Sequence, residues 1–265
     1  MSEAAPPGGV ALALAKRVAE RALWTRVRVQ RTLGGTDRPH PAPMPPTDVL
    51  RDRAQWQAAV AECRRLRLPL HPDRPKNWDA LGAVATVLDT AGPQASVLDA
   101  GGARYSCVLP WLRLYGCSDL VGNNLEFGAD ARRDGVLFRY GDITDTDFPD
   151  GRFDAMTCMS VIEHGVPVDA FLAESARILR PGGVLVVSTD YDHDPPDTTG
   201  HRAYGQQVHI FSPDEIRDLV GTATEYGLTL RGELALQHAE RPVHWSRTGL
   251  DYTFIRLTFD RGSRP

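Results

Sequence analysis

Four cysteines in 265 residues are too few and too scattered for a disulfide framework. Cys63, Cys107, Cys117 and Cys158 form neither a Cys-x-x-Cys pair nor a Cys/His zinc spacing, which leaves reduced thiols and the expectation of a cytoplasmic protein. Lysine is scarcer still: among 30 basic residues only Lys16 and Lys76 are lysines, an arginine bias of composition that says little about function. Positive charge is not in excess. With 34 acidic residues and a net charge of −4, nothing favours a nucleic-acid partner. No apolar run approaches the roughly 18 residues of a membrane-inserted helix. The stretch 10–15 is too short for that and lacks the preceding basic segment of a secretory signal.

What the chain does have begins at Ser96-Val97-Leu98, an apolar strand pattern that runs into Asp99-Ala100-Gly101-Gly102-Ala103. A glycine pair lets the backbone turn sharply and approach a ligand closely. In open α/β sheets ligands bind outside the carboxyl ends of the strands, where Asp99 would sit. The same residues also fit an ordinary strand-to-turn junction. Downstream, a helix is predicted over 108–114, a strand over 119–125, then the segment Tyr140-Gly141-Asp142-Ile143-Thr144. A turn over 148–154 opens an apolar run, 155–160, that ends at Val161-Ile162-Glu163-His164. A helix over 168–179 stops at Arg180-Pro181-Gly182-Gly183 before a strand over 184–188. Strands alternating with helices imply a mostly parallel sheet.

Taken in order, the segments from Val97 to Tyr191 resemble a class I S-adenosylmethionine (SAM)-dependent methyltransferase. The resemblance implies an α/β fold: a mostly parallel, seven-stranded Rossmann-like sheet with helices on both faces and an antiparallel last strand, here with an N-terminal helical extension. It implies SAM as cofactor, held by Asp99, Ala100, Gly101, Gly102 and Ala103 in the glycine loop, Asn123, Asn124 and Leu125 after the second strand, Asp142 and Ile143 at the adenine, and Ser160. The chain departs from the family pattern at Ala103 and Tyr105, where glycine is preferred, and at Asn123-Asn124, where the family usually has an acid for the ribose hydroxyls. A hydrogen bond to a charged group contributes roughly 1.5 to 3 kcal/mol against about 1 for a neutral one, so the exchange could cost about tenfold in affinity. Asn124 or Glu126 is the candidate ribose ligand.

Methyl transfer from a sulfonium is an in-line displacement, so alignment supplies most of the catalysis. An oxygen acceptor also gains from a general base, typically about 10²- to 10⁴-fold. His164 is the candidate base, with Glu163 beside it and Asp190 after the fifth strand as further candidate catalytic residues. A purely structural His164 is the alternative. The loop 189–201 carries four acids (Asp190, Asp192, Asp194, Asp197) and two histidines (His193, His201). It could contact substrate, bind a divalent metal or simply be solvated. The paired Asp-Asn of the metal-dependent catechol type is absent, and no metal is expected.

Three segments are expected: a basic helix and proline-rich linker over 1–46, a helical lid or lead-in over 47–95, and a catalytic domain over 96–265. The first helix, 10–31, carries Lys16, Arg17, Arg21, Arg26, Arg28 and Arg31 against Glu20 alone. Leu12, Leu23 and Val27 share one face; Leu14, Val18 and Val29 share another. This suits a docked arm or a homodimer contact better than a membrane surface. Asp48 could cap a helix running to about Leu66, and a second helix is expected over 77–88, with Lys76 and Trp78 serving a lid, the substrate or mere packing. Ser212-Pro213-Asp214-Glu215 is a capping box, Gly227 a helix end, and 228–236 and 252–259 the closing strands. The expected function is SAM-dependent methyl transfer to a small-molecule acceptor, at oxygen, in specialised or sugar/nucleotide-related metabolism. The alternatives are a protein or lipid methyltransferase and a binding subunit without catalysis.

Overall fold

A computed structural model describes residues 7–203 and 206–262. Strand β1 is Asp48–Val49, β2 Ser96–Ala100, β3 Asp119–Asn123, β4 Ala131–Arg133, β5 Val136–Arg139 and β6 Phe153–Met159. Strand β7 is Leu179–Tyr191, β8 Arg202–Ala203, β9 Gln206–Gln207, β10 Leu228–Leu230, β11 Val243–Trp245 and β12 Leu250–Arg261. Helices are α1 Pro7–Gly34, α2 Arg53–Arg65, α3 Lys76–Ala91, α4 Val108–Leu114, α5 Val168–Ile178 and α6 Pro213–Glu225.

The sheet reads β4-β5-β3-β2-β6-β7-β12-β1, with β10 and β11 also on β12. Strands β5, β3, β2, β6 and β7 are parallel, while β12 is antiparallel to β7. This is the expected mostly parallel sheet with an antiparallel last strand. The short strands β1, β4 and β11 extend the expected seven to ten. Residues of β2 and β7 are buried on both faces, as a parallel sheet covered on both sides requires. On one face lie α3 and α4, packed through Val84, Trp111 and Leu112; on the other α5 and α6, through Phe171, Leu172 and Ile216.

Helix α3 is buried at every position from Asn77 to Leu88, because α2 covers it from outside. Its Gly82 is fixed by Arg256 of β12: a Cβ there would collide with the guanidinium, which stacks 4.6 Å over the Trp78 ring. The expected cap at Asp48 is corrected. Asp48 sits in the edge strand β1, paired with Arg256, and Asp52 caps α2 by accepting from Gln55 N at 2.8 Å. The apolar pair Val49-Leu50 decides this, since both are fully buried against the sheet and an earlier helix start would pull them off it.

The proline-rich stretch lies on the body. Tyr115 Oη donates to Pro39 O at 3.1 Å and Arg256 Nη2 to Pro45 O at 2.6 Å. Helix α1 docks by Trp24 and Val27, with Trp24 Nε1 donating to Arg104 O at 2.9 Å. The capping box of α6 forms, and Gly227 follows at φ +73. The closing strand predicted over 228–236 ends at Leu230; beyond it Leu234 and Leu236 pack as loop residues.

Candidate active site

At the carboxyl ends of β2, β3 and β6 a cavity of about 450 Å³ opens. Its wall begins with the loop after β2. Gly101 lies at φ +75, open to glycine without strain, and Gly102 passes directly over the Asp99 carboxylate, where any Cβ would strike Asp99 Oδ2. Asp99 itself is buried, accepts a hydrogen bond from Thr157 Oγ1 at 2.8 Å, and burial pushes its carboxyl up to about 7. It supports the loop from beneath.

Among the expected cofactor residues, Gly101, Gly102, Ala103, Asn124, Leu125, Asp142, Ile143 and Ser160 line the cavity. Asp99, Ala100 and Asn123 stand behind it; Asn123 Nδ2 donates to Asp142 O at 3.3 Å. Asn124 is occupied at both ends of its amide. Nδ2 donates to Gly101 O at 2.5 Å, and Oδ1 accepts from Glu126 N at 2.7 Å. An amide is what this loop requires, because a carboxylate cannot donate to the Gly101 carbonyl. Glu126 lines the cavity with its side chain 52% exposed, 3.8 Å from Lys16 Nζ.

Ser160 follows β6 at φ +51, a left-handed conformation uncommon outside glycine, and its buried Oγ has no hydrogen-bond partner. Its backbone N–H is fixed by Ser188 O at 2.9 Å. A ligand in the cavity would account for both the strain and the orphaned hydroxyl.

His71, Lys76, Tyr105 and His164 complete the lining. His164 lines the cavity, and burial together with the nearby Lys76 charge lowers its imidazole to about 4. Glu163 and Asp190, the other candidate catalytic residues, are buried behind that lining. Glu163 Oε2 accepts from Thr189 Oγ1 at 3.1 Å, whereas Oε1 has no partner; burial, then the Asp190 charge, push its carboxyl well up. Burial also pushes Asp190 up to about 7, against Lys76 and a hydrogen bond from Tyr252. Lys76 loses hydration there, yet Asp79, Asp190, Glu163 and Asp73 outweigh this and raise its ammonium above the usual value. Trp78 is fully buried beneath Arg256, so of the pair 76 and 78 only Lys76 reaches the cavity. Tyr105, noticed in the sequence only as a departure from glycine, lines the cavity at the end of the glycine loop, whereas Tyr252 of β12 was not singled out and meets Asp190 behind the wall.

Asp192, His193 and His238 place ligand-type atoms within 4.8 Å of one another. Their groups already pair, His193 Nδ1 with His238 Nε2 at 2.7 Å and both Asp192 oxygens with Arg241 at 2.7 and 3.1 Å. With the guanidinium on the carboxylate, the cluster is closed by protein.

Residues 98–187 match the family model described as a methyltransferase domain. That segment, with the sheet around it, is similar to a class I SAM-dependent methyltransferase domain. It is 29% identical over 147 residues to a sterol 24-C-methyltransferase of Yarrowia lipolytica, a match covering 49% of this chain and 38% of the relative. It is 32% identical over 152 residues to a demethylmenaquinone methyltransferase of Deinococcus radiodurans, covering 54% and 60%. The chain thus spans less than two thirds of either relative. The solved geranyl diphosphate C-methyltransferase of Streptomyces coelicolor, in complex with Mg²⁺, geranyl diphosphate and S-adenosyl-L-homocysteine, superposes with a TM-score of 0.52 at 19% identity. That match covers 90% of this chain and 98% of the other, a likeness of fold.

The cavity fits SAM on its own features. The bare glycine turn leaves room for a ligand against the backbone, Glu126 and Asp142 offer carboxylates, Leu125 and Ile143 offer apolar surface, and Ser160 Oγ lacks a partner.

Proposed function

We propose that this protein transfers the methyl group of SAM to an oxygen of a small-molecule acceptor. One observation carries the reading: Lys76 and His164 line the same cavity as the glycine loop. When bound, SAM supplies an electrophilic methyl group. The backbone of Gly101, Gly102 and Ala103 holds its amino-acid end, Glu126 accepts from the ribose hydroxyls, and Asp142, Ile143 and Leu125 hold the adenine. Ser160 fixes the turn between the two halves.

On the acceptor side, His164 is neutral at neutral pH, because its imidazole is lowered to about 4. Its lone pair accepts the acceptor's hydroxyl proton, and the Lys76 ammonium stabilises the oxygen left behind. The charges of Asp79, Asp190 and Glu163 raise the Lys76 ammonium above its usual value and favour its charged form. Excluding water from this part of the cavity strengthens each of these interactions, since charges act more strongly in a low dielectric.

The test is a SAM-consumption screen against metabolite pools, read by mass spectrometry for products heavier by one CH₂, with product NMR to locate the new methyl. A methyl found on carbon removes the oxygen assignment and leaves the transfer intact. Absence of saturable SAM binding by calorimetry removes the transfer and leaves a binding subunit.

A further inference from the structure

The two apolar faces of α1 have different fates. Leu23, Trp24 and Val27 pack on the body, whereas Leu14, Val18, Val29 and Leu33 are 63%, 61%, 49% and 83% exposed. At 3.6 residues per turn these four and the exposed Ala22 fall within an arc of about 100°. Arg17, Arg21 and Arg28 flank that arc on one side and Arg26 on the other, all exposed. The helix's acid, Glu20, points inward and is taken by Arg133 at 2.5 Å. The outward face is therefore an apolar stripe edged by Arg17, Arg21 and Arg28 on one side, Arg28 also pairing with Asp134 at 2.8 Å, and by Arg26 on the other, on a chain whose net charge is −4.

We propose that this face of α1 docks the protein on an anionic lipid bilayer, lying in the interface without crossing it. Among the described residues no helix is long and apolar enough to span a membrane. An interfacial helix needs only apolar side chains for the acyl boundary and arginines for anionic headgroups. Charge selects this occupant over a second copy of the chain. An isologous contact through the same stripe would set its arginines against those of the partner copy, with Glu20 turned away and unable to neutralise them. The stripe also lies close to the active site. On the opposite side of the helix Lys16 is 3.8 Å from Glu126 and 5.8 Å from the centre of the Tyr105 ring, both cavity residues. The cavity rim therefore lies about one helix diameter, roughly 10 Å, from the bilayer. Acceptors dissolved in the membrane would be within reach, a corollary that rests on the methyl-transfer reading.

Co-sedimentation of the full chain with phosphatidylcholine vesicles, with and without phosphatidylglycerol, tests the docking and needs neither cofactor nor acceptor. Its failure is thus separable from failure of the proposed activity. Binding only to the anionic vesicles, weakened by salt, is expected. Arg17→Gln with Arg21→Gln should weaken it about 25-fold, near fivefold for each charge removed. Val18→Asp with Val29→Asp should abolish it while leaving the melting temperature and SAM affinity unchanged, because both side chains face solvent. No vesicle binding, equal binding to both vesicle types, or a dimer in solution that Val18→Asp dissociates would overturn the proposal.

Discussion

Asn124→Asp restores the acid that the family usually has at the end of its second strand, and motif comparison alone expects it to tighten SAM binding about tenfold, through a charged hydrogen bond to the ribose. The geometry gives the opposite sign. Asn124 Nδ2 donates to Gly101 O at 2.5 Å and approaches Gly102 O at 3.4 Å, while Oδ1 is fixed by Glu126 N. In the variant one carboxylate oxygen keeps the Glu126 N–H and the other faces the Gly101 carbonyl. The hydrogen bond is lost and replaced by repulsion between two acceptors. Leaving one such group unsatisfied costs about 1 to 3 kcal/mol, a fall in SAM affinity of about five- to 150-fold if the loop must keep its shape to bind. Isothermal titration calorimetry with SAM and with S-adenosylhomocysteine reads the change. Asn124→Ala, which removes the donor without adding charge, should lose less than Asn124→Asp. Binding by Asn124→Asp as tight as the native protein, or tighter, refutes both the clamp and the assignment of the ribose to Glu126.

Glu126→Gln should weaken SAM binding about tenfold with an unchanged melting temperature, since its side chain is half exposed and only its backbone N–H holds the loop; equal affinity returns the ribose to another residue. Gly102→Ala should destabilise the fold by about 1 to 3 kcal/mol in urea melts, because its Cβ overpacks Asp99, and an unperturbed midpoint would show that the loop yields. His164→Ala should lower turnover about 10²- to 10⁴-fold while SAM affinity holds; full turnover would leave His164 structural. Asp99 has its carboxyl raised to about 7 by burial. Its contribution to stability is present below the unfolded value near 4 and is lost as pH rises towards 7, because the unfolded chain ionises first. Asp99→Asn removes that loss, so its melting temperature relative to the native protein should climb from about pH 4 to 7, and a flat difference between the two curves contradicts the shift.

Much of the site lies in short local motifs, and those were legible. The glycine pair, Asp142-Ile143 and the Ser160 turn each follow a strand whose own apolar run gives it away, so their placement at one sheet edge follows once the alternation of strands and helices is recognised. Asn124 was visible as a departure, but its purpose was not. The donor it supplies goes to a carbonyl 23 residues away, a contact that no local pattern encodes. Lys76 drew notice as one of two lysines, yet its role depends on Asp79, Asp190 and Glu163 converging on it from three elements. Asp48 misled because an acid before a helix looks the same whether it caps or enters a strand. Two buried aliphatic neighbours settled the matter by packing.

By itself the sequence determined the parallel α/β core, the glycine turn after its first strand and the two-faced helix at the start of the chain, because strand burial, glycine turns and helical periodicity act over a few neighbouring residues. Only the tertiary structure decided which face of α1 is spent on the body, why the second strand ends in an amide, and which lysine meets the cavity. Those outcomes turn on side chains that meet across the sheet, where distance in the chain carries no information about distance in space.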